Sequence, residues 1–177
     1  MKKIVLLLIC LLITFSAQAG TFAVDSGTVF FSGELYYEKG IGDAYDSRSL
    51  LIAPGFHYFL FRKFSVGFDL HLESFRQNGT EYNQTSALIM VQYFMGKKSG
   101  LIFPYIGFGF GGGALSFSSI SQDYKSLKIA TGINFLFNDY IGLKTVASYT
   151  YDDVKSSGVT RSGGRLRIGA GIVIFLF

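Results

Sequence analysis

Few residues of this chain could do chemistry, and most of them fall on alternate positions of short apolar segments. Glu34, Asp69, His71 and Glu73 supply carboxylates and an imidazole, His57 lies between them, and Lys128 and Lys144 supply amines. Arg165 or Arg167 is a further candidate. His71 beside Asp69 or Glu73 has the makings of a general acid–base pair. His57 and His71, with Asp69 as a third donor, are of the type that holds a metal. The spacing favours neither. Residues two apart on an extended segment point the same way without having to meet, and no compact run of ligands supports a metal. Gly107, Gly109, Gly111, Gly112 and Gly113 lack the following Lys-Ser/Thr of a phosphate-binding loop, and their spacing belongs to a strand. The pattern that remains is a set of charges on one face of several strands. Buried charges must be paired, so these seven residues are expected to form a structural network of ion pairs and hydrogen bonds. No catalytic residue, metal or cofactor is expected.

The elements that position these residues repeat with a period of two. No segment after the first twenty residues is apolar for long enough to cross a membrane as a helix. Eight segments instead alternate over about ten residues each. They are Thr28–Glu38, Ser49–Leu60, Phe64–Phe75, Thr85–Met95, Ile102–Leu115, Lys125–Phe137, Tyr140–Tyr151 and the tail Arg165–Phe177. In the third, Phe64, Val66, Phe68, Leu70 and Leu72 share one face, and Gly67, Asp69, His71 and Glu73 share the other. In the seventh, Ile141, Leu143, Ala147 and Tyr149 oppose Lys144, Ser148 and Thr150. The connections Phe61–Lys63, Gly96–Gly100 and Asn138–Asp139 are tight. Lys39–Arg48, Arg76–Gln84, Ser116–Tyr124 and Asp152–Gly163 are longer and polar, and are expected to be loops on the opposite side. Tyr124, beside one of them, is expected in an aromatic belt at the membrane interface. The tail breaks parity: Leu166, Ile168 and Ala170 suit one outward face, Phe175 and Phe177 the other. A bulge near Gly169–Gly171 would reconcile them.

Which face is inside follows from where the charges are. A soluble barrel would turn its aliphatic and aromatic face inward, leaving the Gly-, Ser- and charge-bearing face to water. A Lys or Arg facing lipid at mid-depth costs about 2–4 kcal/mol. The greasy face therefore turns outward to lipid and Lys128, Lys144, Asp69 and Glu73 turn inward. The expected fold is all-β, an eight-stranded antiparallel up-and-down transmembrane β-barrel spanning residues 20–177.

Residues 1–19 read as a cleaved secretory signal peptide. Lys2 and Lys3 open it, Ile4–Phe15 is apolar but shorter than the about 20 residues of a membrane span, and Ala17-Gln18-Ala19 gives a small-x-small cleavage site. Cys10 is the only cysteine. Ile9 is not small and the apolar run continues past Cys10, which excludes a lipoprotein signal, so the mature protein has no thiol. The chain carries 16 basic and 12 acidic residues, and two of the basic ones lie in the signal. That balance gives no support to nucleic-acid binding.

The stretches Gly33-Glu34-Leu35-Tyr36-Tyr37, Ala53-Pro54-Gly55-Phe56-His57-Tyr58-Phe59 and Val66-Gly67-Phe68-Asp69-Leu70 resemble those of the small outer-membrane β-barrels, the OmpA/OmpX-type and opacity-like proteins of the porin family. So do Pro104-Tyr105-Ile106-Gly107-Phe108-Gly109, Gly132–Asp139 and the tail. Val173, Phe175 and Phe177 look like the C-terminal assembly signal of such proteins. The resemblance implies export to a Gram-negative outer membrane and insertion by the barrel-assembly machinery. It also implies contact with outer-membrane lipids and lipopolysaccharide, and a host or surface ligand at the outer loops. The expected role is structural or surface-interaction, without catalysis. The alternatives are a narrow low-conductance pore and, second, a lipid-modifying enzyme.

Overall fold

A computed structural model describes residues 23–41, 48–77, 80–96, 100–117, 120–156 and 159–177. The signal segment lies outside them, as do the side chains of Tyr82, Phe117 and Ile120. The described residues form eight strands: β1 (Val29–Ile41), β2 (Arg48–Phe61), β3 (Phe64–Gln77), β4 (Thr80–Phe94), β5 (Ile102–Phe117), β6 (Ile120–Leu136), β7 (Ile141–Ser156) and β8 (Val159–Leu176). Each pairs antiparallel with its sequence neighbours, and β1 pairs with β8 to close the barrel. Closure leaves no free edge along the wall, the condition for backbone to sit in lipid.

Alternation explains both surfaces. Leu35, Ile52, Leu72, Ile89, Phe108, Ile129, Leu143 and Ile168 stand on the outer wall and are exposed, an apolar band that a soluble protein could not carry. Their neighbours Glu34, Ala53, His71, Met90, Gly109, Lys128, Lys144 and Arg167 point inward and are buried. Glycine at inward positions makes room in a narrow lumen. At Gly67 a Cβ would collide with the Phe56 carbonyl and the His57 backbone, so no other residue fits.

Three expectations need correction. Three of the four long loops are mostly strand, and residues 42–47 of the fourth, Lys39–Arg48, lie outside the described residues. β3 and β4 pair up to Gln77↔Thr80, β5 and β6 up to Phe117↔Ile120, and β7 and β8 up to Ser156↔Val159. Polar residues on both faces read as loop, yet a strand that has left lipid is solvated on its outer face and needs no apolar row. The bulge in the tail is absent. β8 keeps continuous register with both β1 and β7, so Arg165, Arg167, Val173 and Phe175 point inward while Leu166, Ile168, Ile172 and Ile174 point outward. Phe175 misled because an aromatic ring in this barrel is as useful inside as outside. Phe177 is exposed at the strand end, its ring 5.4 Å from that of Tyr140. Finally, Tyr124 joins no interface belt, since it is buried in the lumen. Among the described residues, the wall's one register shift lies in the β2–β3 ladder between Phe59 and Phe61, next to the tight Arg62–Lys63 turn.

Candidate functional site

The lumen is the only dense collection of reactive groups among the described residues, and it has two storeys. At the mouth where β1 begins, Phe30, Phe59, Phe94, Phe103, Tyr105, Leu136, Val173 and Phe175 come from six strands and form one buried apolar cluster across the lumen. Phe30 sits near the middle. Its ring lies 5.6 Å from Phe59, 5.7 Å from Phe94 and 5.4 Å from Phe175, and it stacks on His57 at 4.4 Å. Residues 23–28 run beneath this floor. Val24 is fully buried and its carbonyl accepts from the Lys63 N–H at 2.7 Å, and the Gly27 N–H donates to the Phe59 carbonyl at 2.9 Å.

Above the floor every inward charge among the described residues has a partner. Lys144 Nζ meets Glu34 Oε1 at 2.5 Å, with the Tyr105 ring 5.1 Å away, and the Tyr36 hydroxyl donates to Glu34 Oε2 at 2.9 Å. Asp69 is held from two sides. His57 Nε2 approaches Oδ1 at 3.0 Å and Lys128 Nζ donates to Oδ2 at 3.2 Å. Lys128 Nζ also lies 3.2 Å from His71 Nε2, and Arg167 Nη1 lies 3.2 Å from His71 Nδ1. Arg167 Nε donates to Glu38 Oε2 at 2.5 Å. Higher still, Arg165 Nε donates to Asp152 Oδ2 at 2.5 Å, and its Nη1 lies 3.6 Å from Glu38 and 3.7 Å from Glu73. Ser126 donates to the other Asp152 oxygen, and Gln84 bridges the lumen to the Tyr124 hydroxyl at 2.7 Å.

The structure thus brings Glu34, His57, Asp69, His71, Glu73, Lys128 and Lys144 into one lumen, but does not pair His71 with Asp69 or Glu73. Asp69 meets His57 across the β2–β3 ladder, whereas the ring nitrogens of His71 face two cations. Glu73 faces Arg165. No group of three or more His, Cys, Asp or Glu side chains among the described residues could hold a metal ion. Both Arg165 and Arg167 belong to the network. Glu38 and Asp152 are further members. Asp152 was hidden in a segment read as loop, though the parity of Ser148, Thr150, Asp152 and Val154 marks it as inward.

No protein-family model matches the sequence, and no curated protein does. Solved structures do match. Neisserial surface protein A superposes with a TM-score of 0.70 at 13% identity, over 84% of this chain and 99% of the other. The outer membrane protein OprG from Pseudomonas aeruginosa gives 0.57 at 12%, over 88% and 99%. Ail, the attachment invasion locus protein of Yersinia pestis, gives 0.51 at 18%, over 84% and 99%. Identities this low speak for the fold, and with the outward apolar band and the charged, floored lumen they lead to one statement: this chain has the fold of the small eight-stranded outer-membrane β-barrels.

Proposed function

We propose that the protein is an exported outer-membrane barrel with a structural or surface-interaction role and no catalytic activity. The observation that carries this reading is the double closure of the lumen, by an aromatic floor at one level and by paired charges above it. An eight-stranded barrel is only wide enough for its own side chains, and here the inward ionic groups among the described residues are paired with one another. The floor argues against the pore. His71, set between Lys128 and Arg167, has no carboxylate or hydroxyl to work with, which argues against the enzyme.

In this reading residues 1–19 direct export, and Val173, Phe175 and Phe177 form the segment read by the assembly machinery. The floor faces the periplasm, and the polar strand extensions of β3–β8 stand outside, where a host or surface ligand would meet them. Lipid and lipopolysaccharide cover the apolar band. The test is a pair of measurements on the detergent-folded chain without residues 1–19. Planar-bilayer recordings should stay silent at all voltages, and its electrophoretic band in SDS should shift on boiling. Discrete conductance steps would establish the pore instead. Solubility without detergent and no shift would turn the barrel inside out.

A further inference from the structure

The aromatic floor has a cover of its own, made of chain that belongs to no strand. Ala23 and Val24 precede β1, yet both are buried, Val24 completely, and both belong to the same apolar cluster as the floor. Removing these two side chains from water is what favours the covered arrangement. Gly27 makes the geometry possible. Its φ is +92°, in the left-handed region that residues with a Cβ seldom enter. The Thr28 N–H donates back to the Asp25 carbonyl at 3.3 Å. The chain therefore turns sharply below β1 and passes under the lumen.

A single turn receives this segment. Gly27 and Thr28 bond to Phe59 and so prolong the β1–β2 ladder. Beyond them, the Ser26 hydroxyl donates to the Leu60 carbonyl at 3.0 Å, the Lys63 N–H donates to the Val24 carbonyl at 2.7 Å, and the Arg62 guanidinium lies 3.5 Å from the Asp25 carboxylate. All three partners lie at the β2–β3 turn. Lys63 is the only non-glycine residue with a positive φ among the described residues, at +67°. That conformation lets it serve two sides, because its carbonyl also accepts from the Phe94 N–H of β4 at 2.8 Å. The turn is thus braced by the wall and offers its other side to the segment. The ion pair is the weak part of the catch: Arg62 and Asp25 are 54% and 38% exposed, and exposed pairs contribute little. Among the described residues, no hydrogen bond joins the segment to the turns after β4 and β6.

We propose that Ala23–Thr28 is a hinged cap over the floor, swinging about Gly27 and caught by the β2–β3 turn. This rests on the outer-membrane reading, in which the cap faces the periplasm. Floor and cap differ in kind. The floor is built from the side chains of six strands, and it opens only if the wall does. The cap lies outside the wall and is held at one side. At Gly27 nothing lies within 4 Å of where a Cβ would stand, so the hinge has room to turn. The barrel can therefore release the cap and remain a barrel. Release uncovers Val24 and the underside of the floor, while the charge network above stays in place.

The experiment is thiol labelling of the detergent-folded chain without residues 1–19, which has no cysteine of its own. Val24→Cys should react with a water-soluble maleimide about a hundredfold more slowly than Ser26→Cys, because its thiol is reached only when the cap is released. Gly27→Val puts a β-branched residue at a positive φ without meeting another atom at its Cβ. It should speed the labelling of Val24→Cys about tenfold while the heat-modifiable band persists. Ala23→Cys is the second reporter, in case Val24→Cys does not give that band. In planar bilayers Gly27→Val alone should stay silent, since the floor is intact. Added to Phe30→Ala and Phe94→Ala, it should raise the open fraction of the conductance steps about tenfold. Equal labelling of Val24→Cys and Ser26→Cys, no gain from Gly27→Val, or an unchanged open fraction overturns the cap. Loss of the band in Gly27→Val alone also overturns it, by making the segment part of the wall. A wild-type chain that is soluble without detergent and shows no band shift would instead overturn the membrane reading.

Discussion

Removing Lys128 should unbalance the lumen more than any loss of wall packing. Its ammonium touches Asp69 and His71 at 3.2 Å each and lies 5.4 Å from the Tyr36 ring, and the side chain is 1% exposed. Lys128→Met keeps most of the volume but leaves Asp69 with His57 alone. Deleting one partner of a buried ion pair costs about 3–5 kcal/mol, because the other charge stays desolvated. With a urea slope of about 2 kcal/mol/M for a small domain, the unfolding midpoint should fall by about 2 M. The assay is urea titration of the barrel in detergent micelles, followed by the unheated band in SDS. Lys125→Ala, three residues away and facing outward, should stay within about 0.5 kcal/mol of wild type. Adding Asp69→Asn to Lys128→Met should recover much of the loss, since removing both charges leaves neither stranded. A midpoint for Lys128→Met within about 0.3 M of wild type would refute the network as the source of stability. So would a double variant whose loss equals the two single losses added.

The floor can be tested by opening it: Phe30→Ala with Phe94→Ala removes the rings that meet at 5.7 Å and should give small conductance steps in planar bilayers where wild type gives none. Gly67→Val should abolish the heat-modifiable band, because its side chain would meet the Phe56 carbonyl and His57 backbone of the paired strand. Arg167→Lys should cost about 1–3 kcal/mol in the same urea titration, as a lysine cannot serve Glu38, His71 and Thr150 together. His71→Ala in a strain lacking the wild-type gene should leave the mass spectrum of its lipid A unchanged, and a changed spectrum would reinstate the enzyme.

Strand number, facing and the inward set were readable because the wall has one physical rule, lipid outside and charge inside, and the pattern Phe68-Asp69-Leu70-His71-Leu72-Glu73 obeys it residue by residue. Where lipid ends, the rule ends. Thr80–Gln84 and Ile120–Asp123 are strand, but a strand beyond the lipid needs no apolar row on its outer face, so hydropathy no longer separates strand from loop. Tyr124 and Phe175 were misplaced for a related reason. An aromatic ring suits an interface, a lipid face and a packed floor equally, and only register decides. Partner choice inside the lumen was out of reach. Asp69 lies two positions from His71 in sequence, yet it meets His57 through the β2–β3 register, and the cation beside it comes from β6 across the barrel.

Arg165, Arg167 and Phe175 all lie on β8. Until that strand docks, Glu38, Glu73 and Asp152 have not met the guanidinium groups that face them in the finished barrel, and Phe30 lacks one of its ring neighbours. Without β8 the described lumen holds the carboxylates Glu34, Glu38, Asp69, Glu73 and Asp152 against only the amines of Lys128 and Lys144. β8 adds two guanidinium groups and one ring of the floor together, which lowers the anionic excess of the described lumen without abolishing it. The charge balance of the lumen and the completeness of its aromatic floor thus depend on the same strand.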